Sequence, residues 1–374
     1  MSAIYVTGVT DNLDIRLERR GSMKRGVVLF LIGFLFCAVN CNKSNPSDST
    51  EENGKTTTPI ETRWNKHPDN PVLSKGPEEW DSDGMWVGSV LYLNGMYHMW
   101  YDGAHGIHGA LPPHSIGYAS SSDGIHWTKY GNNPVMTIGS EGSWDAQNIS
   151  DPCVIFDGGI YHMWYVGTDD VWDWNAVWIG HATSADGIQW TRDPQNPVNL
   201  PNIKNPDEVT WVYRGVFNPA VVKSGDTYLM WYCGIYGQEE LALGLATSPD
   251  GQVWTEHPDN PVMRGTDSGW DHFLSDPNVI YRNGTYHMWY HGASREEEWW
   301  NVGDVGYASS PDGISWDRYS GNPVIVRGER STWEDTDISP PCVCFDGTRY
   351  LGWYTGETLS WQGNVGYLSS DPLE

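Results

Sequence analysis

The chain has 374 residues, enough for one large domain or two of medium size, and a formal net charge of −26 at pH 7. This acidic excess repels phosphate, so it excludes nucleic acids and anionic membrane surfaces as partners and leaves neutral polymers such as polysaccharides. The 22 Trp and 20 Tyr against 7 Phe favour a β-rich protein with aromatic-lined surfaces, on which sugar rings commonly stack.

The N-terminal segment has the pattern of an export signal. A basic pair precedes an apolar run over residues 26–39, which is too short to span a bilayer and matches a signal h-region. The sequence Ala-Val-Asn-Cys ending at Cys41 resembles a bacterial lipobox, with Cys41 as the lipidated residue and Met23 as an alternative start. Residues 1–41 are therefore predicted to be a signal, and the protein an exported lipoprotein of the bacterial cell envelope. An uncleaved membrane anchor, the alternative, also places the domain outside the cytoplasm.

Residues 42–62 are polar and have almost no apolar side chains, so they are predicted to form a flexible tether before a folded domain at residues 63–374. Within that domain the cysteines lack the spacing of a zinc site. They are expected to be buried thiols, with one disulfide as the alternative; they are Cys153, Cys233, Cys342 and Cys344.

An internal repeat of about 63 residues runs through the domain. The triplet Asn-Pro-Val marks it at Asn70, Asn133, Asn196, Asn260 and Asn322. Two other motifs, Tyr-x-x-Trp-Tyr and Ser-x-Asp-Gly-x-x-Trp, keep the same period. Three independent markers with one period therefore define five units.

Each unit has the pattern of four short antiparallel strands. "VIFDGGIYHMWYVG" alternates apolar and polar residues around a Gly turn, and "IGYASSSDGIHW" adds a third strand, a tight turn and the start of a fourth. The fifth unit lacks its last strand, while "WNKHPDNPV" from Trp64 matches "WTKYGNNPV" from Trp127. The sequence thus predicts an all-β, five-bladed β-propeller whose ring is closed by the N-terminal strand around Trp64.

The Ser-x-Asp-Gly-x-x-Trp motif resembles the Asp-box of sialidases, which makes its aspartates tempting catalytic candidates. They repeat without change in a hairpin turn, where Asp caps backbone N–H groups and Gly takes positive φ. We therefore predict a structural role for Asp123, Asp186, Asp250 and Asp312.

Function is expected where the repeat breaks. The position ten residues before each marker Tyr varies from unit to unit: Val87, Asp151, Asn218, Asp276 and Pro340. The segment just upstream is equally irregular and polar, with Asp83, Gln147, Arg214, His272, Thr336 and Asp337. In a propeller these positions converge on one end of the central channel.

Two aspartates at these breaks precede proline, in Asp151-Pro152 and Asp276-Pro277. Each alone is explained by a cap at the strand entry. Together with Asp83 they predict a carboxylate cluster, in which neighbouring charges separate the pKa values and leave one group as an acid and another as a base. Glycosidic bond cleavage requires that arrangement.

With these strand entries and its five blades, the chain resembles the five-bladed β-propeller glycosidases: glycoside hydrolase families 43, 32, 62 and 68 and the mannoside phosphorylase family 130. The resemblance covers residues 64–374 and rests on "SDPCVIF" and on units such as "IGYASSSDGIHWTKYGNNPV". It implies that Asp151 orients the sugar and tunes the acid, and that Asp83 is the nearest candidate for base or nucleophile.

Blade 3 departs from that family, because Phe217 stands where the family has the Glu that acts as general acid. The acid is expected to be Asp276, with Glu208 and Asp337 as alternatives. Further substrate contacts are expected from Arg214, His272 and Asn218, and from Trp86, Trp172 and Trp174 as stacking platforms, for which ordinary packing is the alternative.

The leading hypothesis is a glycoside hydrolase acting on an oligo- or polysaccharide, without cofactor, although a structural channel ion such as calcium is compatible with the fold. A glycoside phosphorylase ranks lower because phosphate binding needs several basic groups. A non-catalytic glycan-binding lipoprotein is the third hypothesis. A monomer that contacts the membrane only through its lipid is expected.

Overall fold

The computed structural model describes residues 59–76, 80–105, 113–170, 177–200, 211–212, 215–236, 240–295, 302–358, 360 and 362–373. The predicted signal with Cys41, most of the tether, and residues 172, 174, 208 and 214 lie outside these ranges. No helix within them is long and apolar enough to cross a membrane.

The strands of the described residues form five antiparallel sheets, and each sheet is one blade of the propeller. In each blade the first strand of the repeat unit lies at one edge of the sheet. Blade 1 consists of β2 (Gly84–Leu93), β3 (Met96–Ala104), β4 (His114–Ser121) and β5 (Thr128–Lys129). Blade 2 consists of β6 (Asn148–Asp157), β7 (Ile160–Thr168), β8 (Val177–Ser184) and β9 (Thr191–Arg192). Blade 3 consists of β10 (Val216–Ser224), β11 (Thr227–Tyr236), β12 (Glu240–Ser248), β13 (Thr255–Glu256) and the short β14 (Met263–Arg264). Blade 4 consists of β15 (Phe273–Arg282), β16 (Thr285–Ala293), β17 (Asp304–Ser310) and β18 (Asp317–Arg318).

Blade 5 joins both ends of the domain. It contains β19 (Asp337–Ile338), β20 (Cys342–Phe345), β21 (Tyr350–Glu357), β22 (Asn364–Ser370) and β1 (Trp64–Lys66). The β1 strand pairs antiparallel with β22, so that Trp64 lies opposite Ser370. The predicted five-bladed propeller and its closure by the Trp64 strand are therefore confirmed. The inner strand is split between β19 and β20 at Pro340-Pro341, where proline has no backbone N–H to donate.

Neighbouring blades are joined by the marker tryptophans, whose side chains are fully buried. The indole N–H of Trp100 donates to the Gly187 carbonyl of the next blade at 2.8 Å, and that of Trp164 donates to the Gly251 carbonyl at 2.8 Å. The contact is repeated from blade 3 to blade 4 and from blade 5 to blade 1. In these four contacts the acceptor is the glycine of an Asp-box turn, so the repeat motif links one blade to the next.

The marker tryptophan of blade 4, Trp289, has no Asp-box glycine in blade 5 to which it can donate. The N-terminal segment of the domain supplies the acceptor in its place. Residues Ile60–Thr62 form a short 3-10 helix, and the Glu61 carbonyl accepts the indole N–H of Trp289 at 3.0 Å. The Glu61 carboxylate also accepts from the Tyr350 hydroxyl at 3.0 Å, and Ile60 is buried. The last residues of the predicted tether are thus part of the propeller.

The Asp-box aspartates cap their own turns. The Asp312 carboxylate accepts the backbone N–H groups of Ile314 and Ser315 at 2.8 Å each, and the other three boxes repeat this pattern. The turns lie at the surface. The four cysteines of the domain are buried and form no disulfide with one another.

Candidate active site

Three inner strands carry the same irregularity where the repeat breaks. In β6, β10 and β15 the pairing with the second strand slips, and Asp151, Asn218 and Asp276 adopt φ values of 52°, 50° and 53°. A positive φ at a residue other than glycine costs about 1–3 kcal/mol, and such strain is concentrated at functional sites. A bulge also re-aims the side chain that it carries. The bulges therefore indicate that the functional site lies at the end of the central channel where Asp151, Asn218 and Asp276 are found.

Five carboxyl side chains meet at these bulges, and we call them the channel cluster. Each is at most 2% exposed: Asp102, Asp151, Asp276, Asp337 and Glu357. They come from blades 1, 2, 4 and 5. They also lie close enough to affect one another's pKa values: the charges of Asp102 and Asp276 raise the pKa of Asp151, and those of Asp337 and Asp276 raise the pKa of Glu357. Burying this many acidic groups together is costly unless several are protonated.

The blade 1 side of the cluster is held by an aromatic contact. The indole of Trp86 donates to Glu357 Oε1 at 2.6 Å and stacks on the His114 ring at a centroid distance of 4.8 Å. His114 in turn lies 2.9 Å from Asp102 Oδ2 through its Nδ1. Trp86 is only 6% exposed. It therefore positions Glu357 and His114 in addition to any contact with a ligand.

The blade 4 side is a chain of hydrogen bonds. The Ser275 hydroxyl donates to Asp276 Oδ2 at 2.5 Å and lies 3.4 Å from His291 Nδ1. The other ring nitrogen of His291 is 2.9 Å from Asp337 Oδ1, which also accepts the backbone N–H of Gly303 at 2.8 Å. His291 thus connects the surroundings of Asp276 to Asp337.

Burial raises the pKa values of four of these carboxyls, those of Asp102, Asp151, Asp276 and Glu357. It raises the pKa of Asp276 to about 7, an effect that nearby His291 and the Ser275 hydrogen bond oppose. It raises the pKa of Glu357 to about 8, and the negative charge of Asp337 adds to the effect. The pKa values of Asp102 and Asp151 are well above their usual range, again mainly through burial. At neutral pH the cluster therefore contains protonated carboxyls that can donate to a ligand.

The two histidines that pair with carboxyls of the channel cluster have pKa values shifted in opposite directions. Burial disfavours protonated His291, but the Asp337 carboxylate and its hydrogen bond outweigh this effect, so the pKa of His291 is raised. Burial lowers the pKa of His114 to about 4. His291 is thus the more cationic of the two, and it lies between Asp276 and Asp337.

Four carboxyl oxygens in the cluster are buried and have no hydrogen-bond partner among the described residues: Asp102 Oδ1, Asp151 Oδ1, Asp276 Oδ1 and Asp337 Oδ2. Unpaired buried oxygens of this kind are sites for the hydroxyl groups of a ligand or for water. A metal ion fits less well, because no group of three or more acidic, His or Cys side chains in the described ranges has metal-binding geometry.

The structure brings together five of the predicted site residues. Asp151, Asp276, Asp337 and Trp86 are in or against the channel cluster, and Asn218 is buried beside Asp151. Asp83 precedes β2, where its backbone N–H donates to the Ala104 carbonyl at 2.9 Å, and it is only half-buried.

Of the other predicted site residues, the structure describes only His272. His272 is half-buried, and its Nδ1 pairs with the Thr266 carbonyl at 2.9 Å. Arg214 and Glu208 lie outside the described residues, as do Trp172 and Trp174. Their predicted contacts with a sugar stay predictions.

Sequence reasoning missed the contribution of the second strands. Asp102, His291 and Glu357 follow the marker Trp-Tyr of β3, β16 and β21, within a longer motif Trp-Tyr-x-Gly-x that all five units share. The glycine is fixed because a tryptophan side chain packs on it, as Trp270 does on Gly292. The two variable positions of this motif differ from unit to unit as clearly as the strand entries do. That variation was the sequence signal from which Asp102, His291 and Glu357 could have been predicted.

Comparison with known proteins links this geometry to carbohydrate chemistry. A family model described as "Glycosyl hydrolases family 32 N-terminal domain" matches residues 62–159 and 154–340. A fructan 6-exohydrolase of Beta vulgaris is 29% identical over 199 residues, which are 50% of this chain and 30% of that protein. A 1,2-beta-oligomannan phosphorylase of Thermoanaerobacter sp. (strain X514) is 33% identical over 129 residues, which are 33% of this chain and 42% of that protein.

The fold has counterparts among solved structures. One is described as "The GH130 family of mannoside phosphorylases contains glycoside hydrolases that target beta-1,2 mannosidic linkages in Candida mannan". It has a TM-score of 0.63 and 17% sequence identity, and the alignment covers 83% of this chain and 96% of that one. At this level of identity the likeness concerns the fold.

Proposed function

The chain belongs to the family of the glycosyl hydrolases family 32 N-terminal domain, and we propose that it is a glycoside hydrolase that cleaves an oligo- or polysaccharide at the channel cluster. The observation that carries the proposal is the pairing of Asp276, whose pKa is raised to about 7, with the hydrogen-bonded Asp337 carboxylate across His291. Hydrolysis of a glycosidic bond uses such an acid and such a carboxylate.

In this proposal Asp276 is the general acid. Its proton passes to the glycosidic oxygen as the bond to the anomeric carbon breaks, which spares the leaving group from departing as an alkoxide. Asp337 either removes a proton from the attacking water, or attacks the anomeric carbon to form an ester that water then hydrolyses, with the deprotonated Asp276 taking the proton of that water. The first route inverts the anomeric configuration and the second retains it. Asp151 and Asp102 bind sugar hydroxyls through their Oδ1 atoms, which have no hydrogen-bond partner among the described residues.

A glycoside phosphorylase is the second candidate, because the chain is similar to a 1,2-beta-oligomannan phosphorylase. In that reaction inorganic phosphate takes the place of water and must be bound by cationic groups. Among the described side chains that pair with the five carboxyls of the channel cluster, those able to carry positive charge are His114 and His291. That balance favours water over phosphate.

The test is turnover of fructan and β-1,2-mannan oligosaccharides by the purified full-length protein, with and without inorganic phosphate. Release of free sugar without phosphate supports the hydrolase, and strict dependence on phosphate with formation of a sugar phosphate supports the phosphorylase. Binding of glycan without any turnover would contradict both and leave a glycan-binding protein. The anomeric form of the first product, read by NMR, distinguishes the two roles of Asp337.

We also propose that the protein is exported and lipidated at Cys41, from the basic, apolar and cysteine segments of its first 41 residues. Incorporation of labelled palmitate in a bacterial host, lost in Cys41→Ser, is the expected result. Equal labelling of the variant would contradict lipidation at that residue.

A further inference from the structure

The inner strands end, on the side away from the channel cluster, at a second depression. The ends of β2, β6 and β10 line a groove of about 400 Å³, and its lining includes Tyr92, Leu93, Phe156, Asp157 and Lys223. Asp157 lies six positions after Asp151 along β6. At about 3.3 Å per residue, the groove is about 20 Å from the cluster.

The groove exists because the repeat breaks there. The residue five positions before the marker Tyr is aromatic in blades 1, 2, 4 and 5, and it is Lys223 in blade 3. In blade 5 this aromatic residue is covered, because the Arg282 guanidinium lies 3.8 Å from the centre of the Phe345 ring. In blade 2 the corresponding Phe156 lines the groove and is 40% exposed.

A polar pair stands beside this exposed ring. Lys223 Nζ lies 2.5 Å from Asp157 Oδ2, and the Tyr228 hydroxyl donates to the same oxygen at 2.7 Å. These donors lower the pKa of Asp157, so it is an acceptor at neutral pH. The pair offers both donors and an acceptor, while its charges cancel.

We propose that this groove is a second glycan-binding site, in which a sugar ring of a neutral polysaccharide stacks on Phe156 and hydrogen bonds with Asp157 and Lys223. An aromatic face matches the C–H face of a sugar, and a charged donor and acceptor match its hydroxyl groups. A charged ligand gains nothing from a pair without net charge, and the acidic protein repels anions.

The site rests on the proposed function, since its ligand is the polymer that the channel cluster cleaves. It would hold a distant part of the chain or a second chain, and so raise the local concentration of substrate near the enzyme. A disaccharide in the channel cannot reach it. The groove should therefore affect polymers and leave short substrates unchanged.

The experiment compares Phe156→Ala with Tyr281→Ala in the full-length protein. Tyr281 is a matched control, because it occupies the same position of the repeat in blade 4, is 37% exposed and packs on its marker Tyr at 4.6 Å, as Phe156 does at 4.7 Å. Phe156→Trp keeps an aromatic face. Binding of fructan and β-1,2-mannan is measured with Asp276→Asn added to each protein, so that the polymer is not consumed.

We expect Phe156→Ala to lower the affinity for one of these polymers by about tenfold, and Tyr281→Ala and Phe156→Trp to stay near the parent value. In the active protein, Phe156→Ala should raise KM for the polymer and leave kcat and KM for the disaccharide unchanged. Equal affinity of parent and Phe156→Ala, equal losses in both alanine variants, or no polymer binding at all would overturn the proposal. Loss of polymer binding in Phe156→Ala without turnover by the parent would keep the groove and refute the hydrolase.

Discussion

Asp276 and Asp312 are both aspartates of blade 4, and their surroundings give them opposite chemistry. Asp276 is fully buried, and burial raises its pKa to about 7. Asp312 is exposed in its turn, where the backbone N–H groups of Ser315 and Ile314 lower its pKa. Residue type alone does not separate an acid catalyst from a turn cap; solvation and hydrogen-bond donors do.

Replacing Asp276 by Asn should lower kcat about a hundred- to ten-thousandfold, because an amide cannot give up a proton to the leaving oxygen. The measurement is kcat on the best oligosaccharide, with the melting temperature as a check on folding. Asp312→Asn is the control, and it should lose some stability but keep kcat. An active Asp276→Asn protein would assign the acid to another residue.

Activity should also depend on pH through Asp276. The acid works only when protonated, so kcat/KM should fall about tenfold per pH unit above a pKa of about 7. The pH profile on a short substrate measures this limb. A profile that stays level through about pH 9 would contradict the assignment.

His181 should make the protein sensitive to acid. Burial and neighbouring His162 lower its pKa from 6.5 to about 4, although Asp193 and Asp250 oppose the shift. Because the unfolded state takes up the proton at higher pH, the free energy of unfolding should fall as the pH drops from about 6.5 to about 4. In blades 1 and 4 the repeat position that corresponds to His181 holds Tyr118 and Tyr307. The hydroxyl of each forms a hydrogen bond with a histidine ring.

His181→Tyr should therefore reduce the acid-induced loss of stability, since a tyrosine hydroxyl can pair with His162 without gaining charge. Urea unfolding at pH 7 and pH 5 measures the change. Equal pH dependence in variant and parent would show that other groups control acid stability.

At the scale of elements, the sequence predicted the strands well because a repeat reports each strand five times. It predicted the inner-strand part of the site for the same reason, since Asp151 and Asp276 interrupt a copied pattern. Asp102 and Glu357 were not predicted, because they lie near the ends of second strands whose sequence is otherwise that of blade core. Asp83 was chosen by chain proximity to the strand entry, and only the three-dimensional structure shows how much less buried it is than the cluster.

The short 3-10 helix at Ile60–Thr62 is the element whose role exceeds its length. Deleting residues 59–62 should lower the free energy of unfolding by about 4 kcal/mol, because the burial of Ile60 is lost and the indole of Trp289 loses its acceptor. Thermal unfolding measures the loss. Deleting residues 50–57, which the sequence assigns to the tether, is the control and should change little. Equal stability of both deletions would contradict this role.

At the scale of the whole molecule, β1 and β22 bring the two ends of the described domain into one blade. A circular permutant that begins at Trp80 and carries residues 64–76 after Ser370, joined by a copy of the blade 4 turn over residues 311–315, should fold. Its last blade would then be continuous, like the other four. We expect a melting temperature close to that of the parent, and an unfolded permutant would contradict the equivalence of the blades.

The same closure constrains how the protein can be made. Asn65 hydrogen bonds with Asp371, a residue 306 positions later, so the first strand to be synthesised waits for the last one before it has a partner. Until then the growing chain is an open arc with unpaired strand edges, which are prone to pair with other chains. We therefore expect a chain that ends before blade 5 to be an aggregation-prone fragment with open strand edges and not a four-bladed propeller.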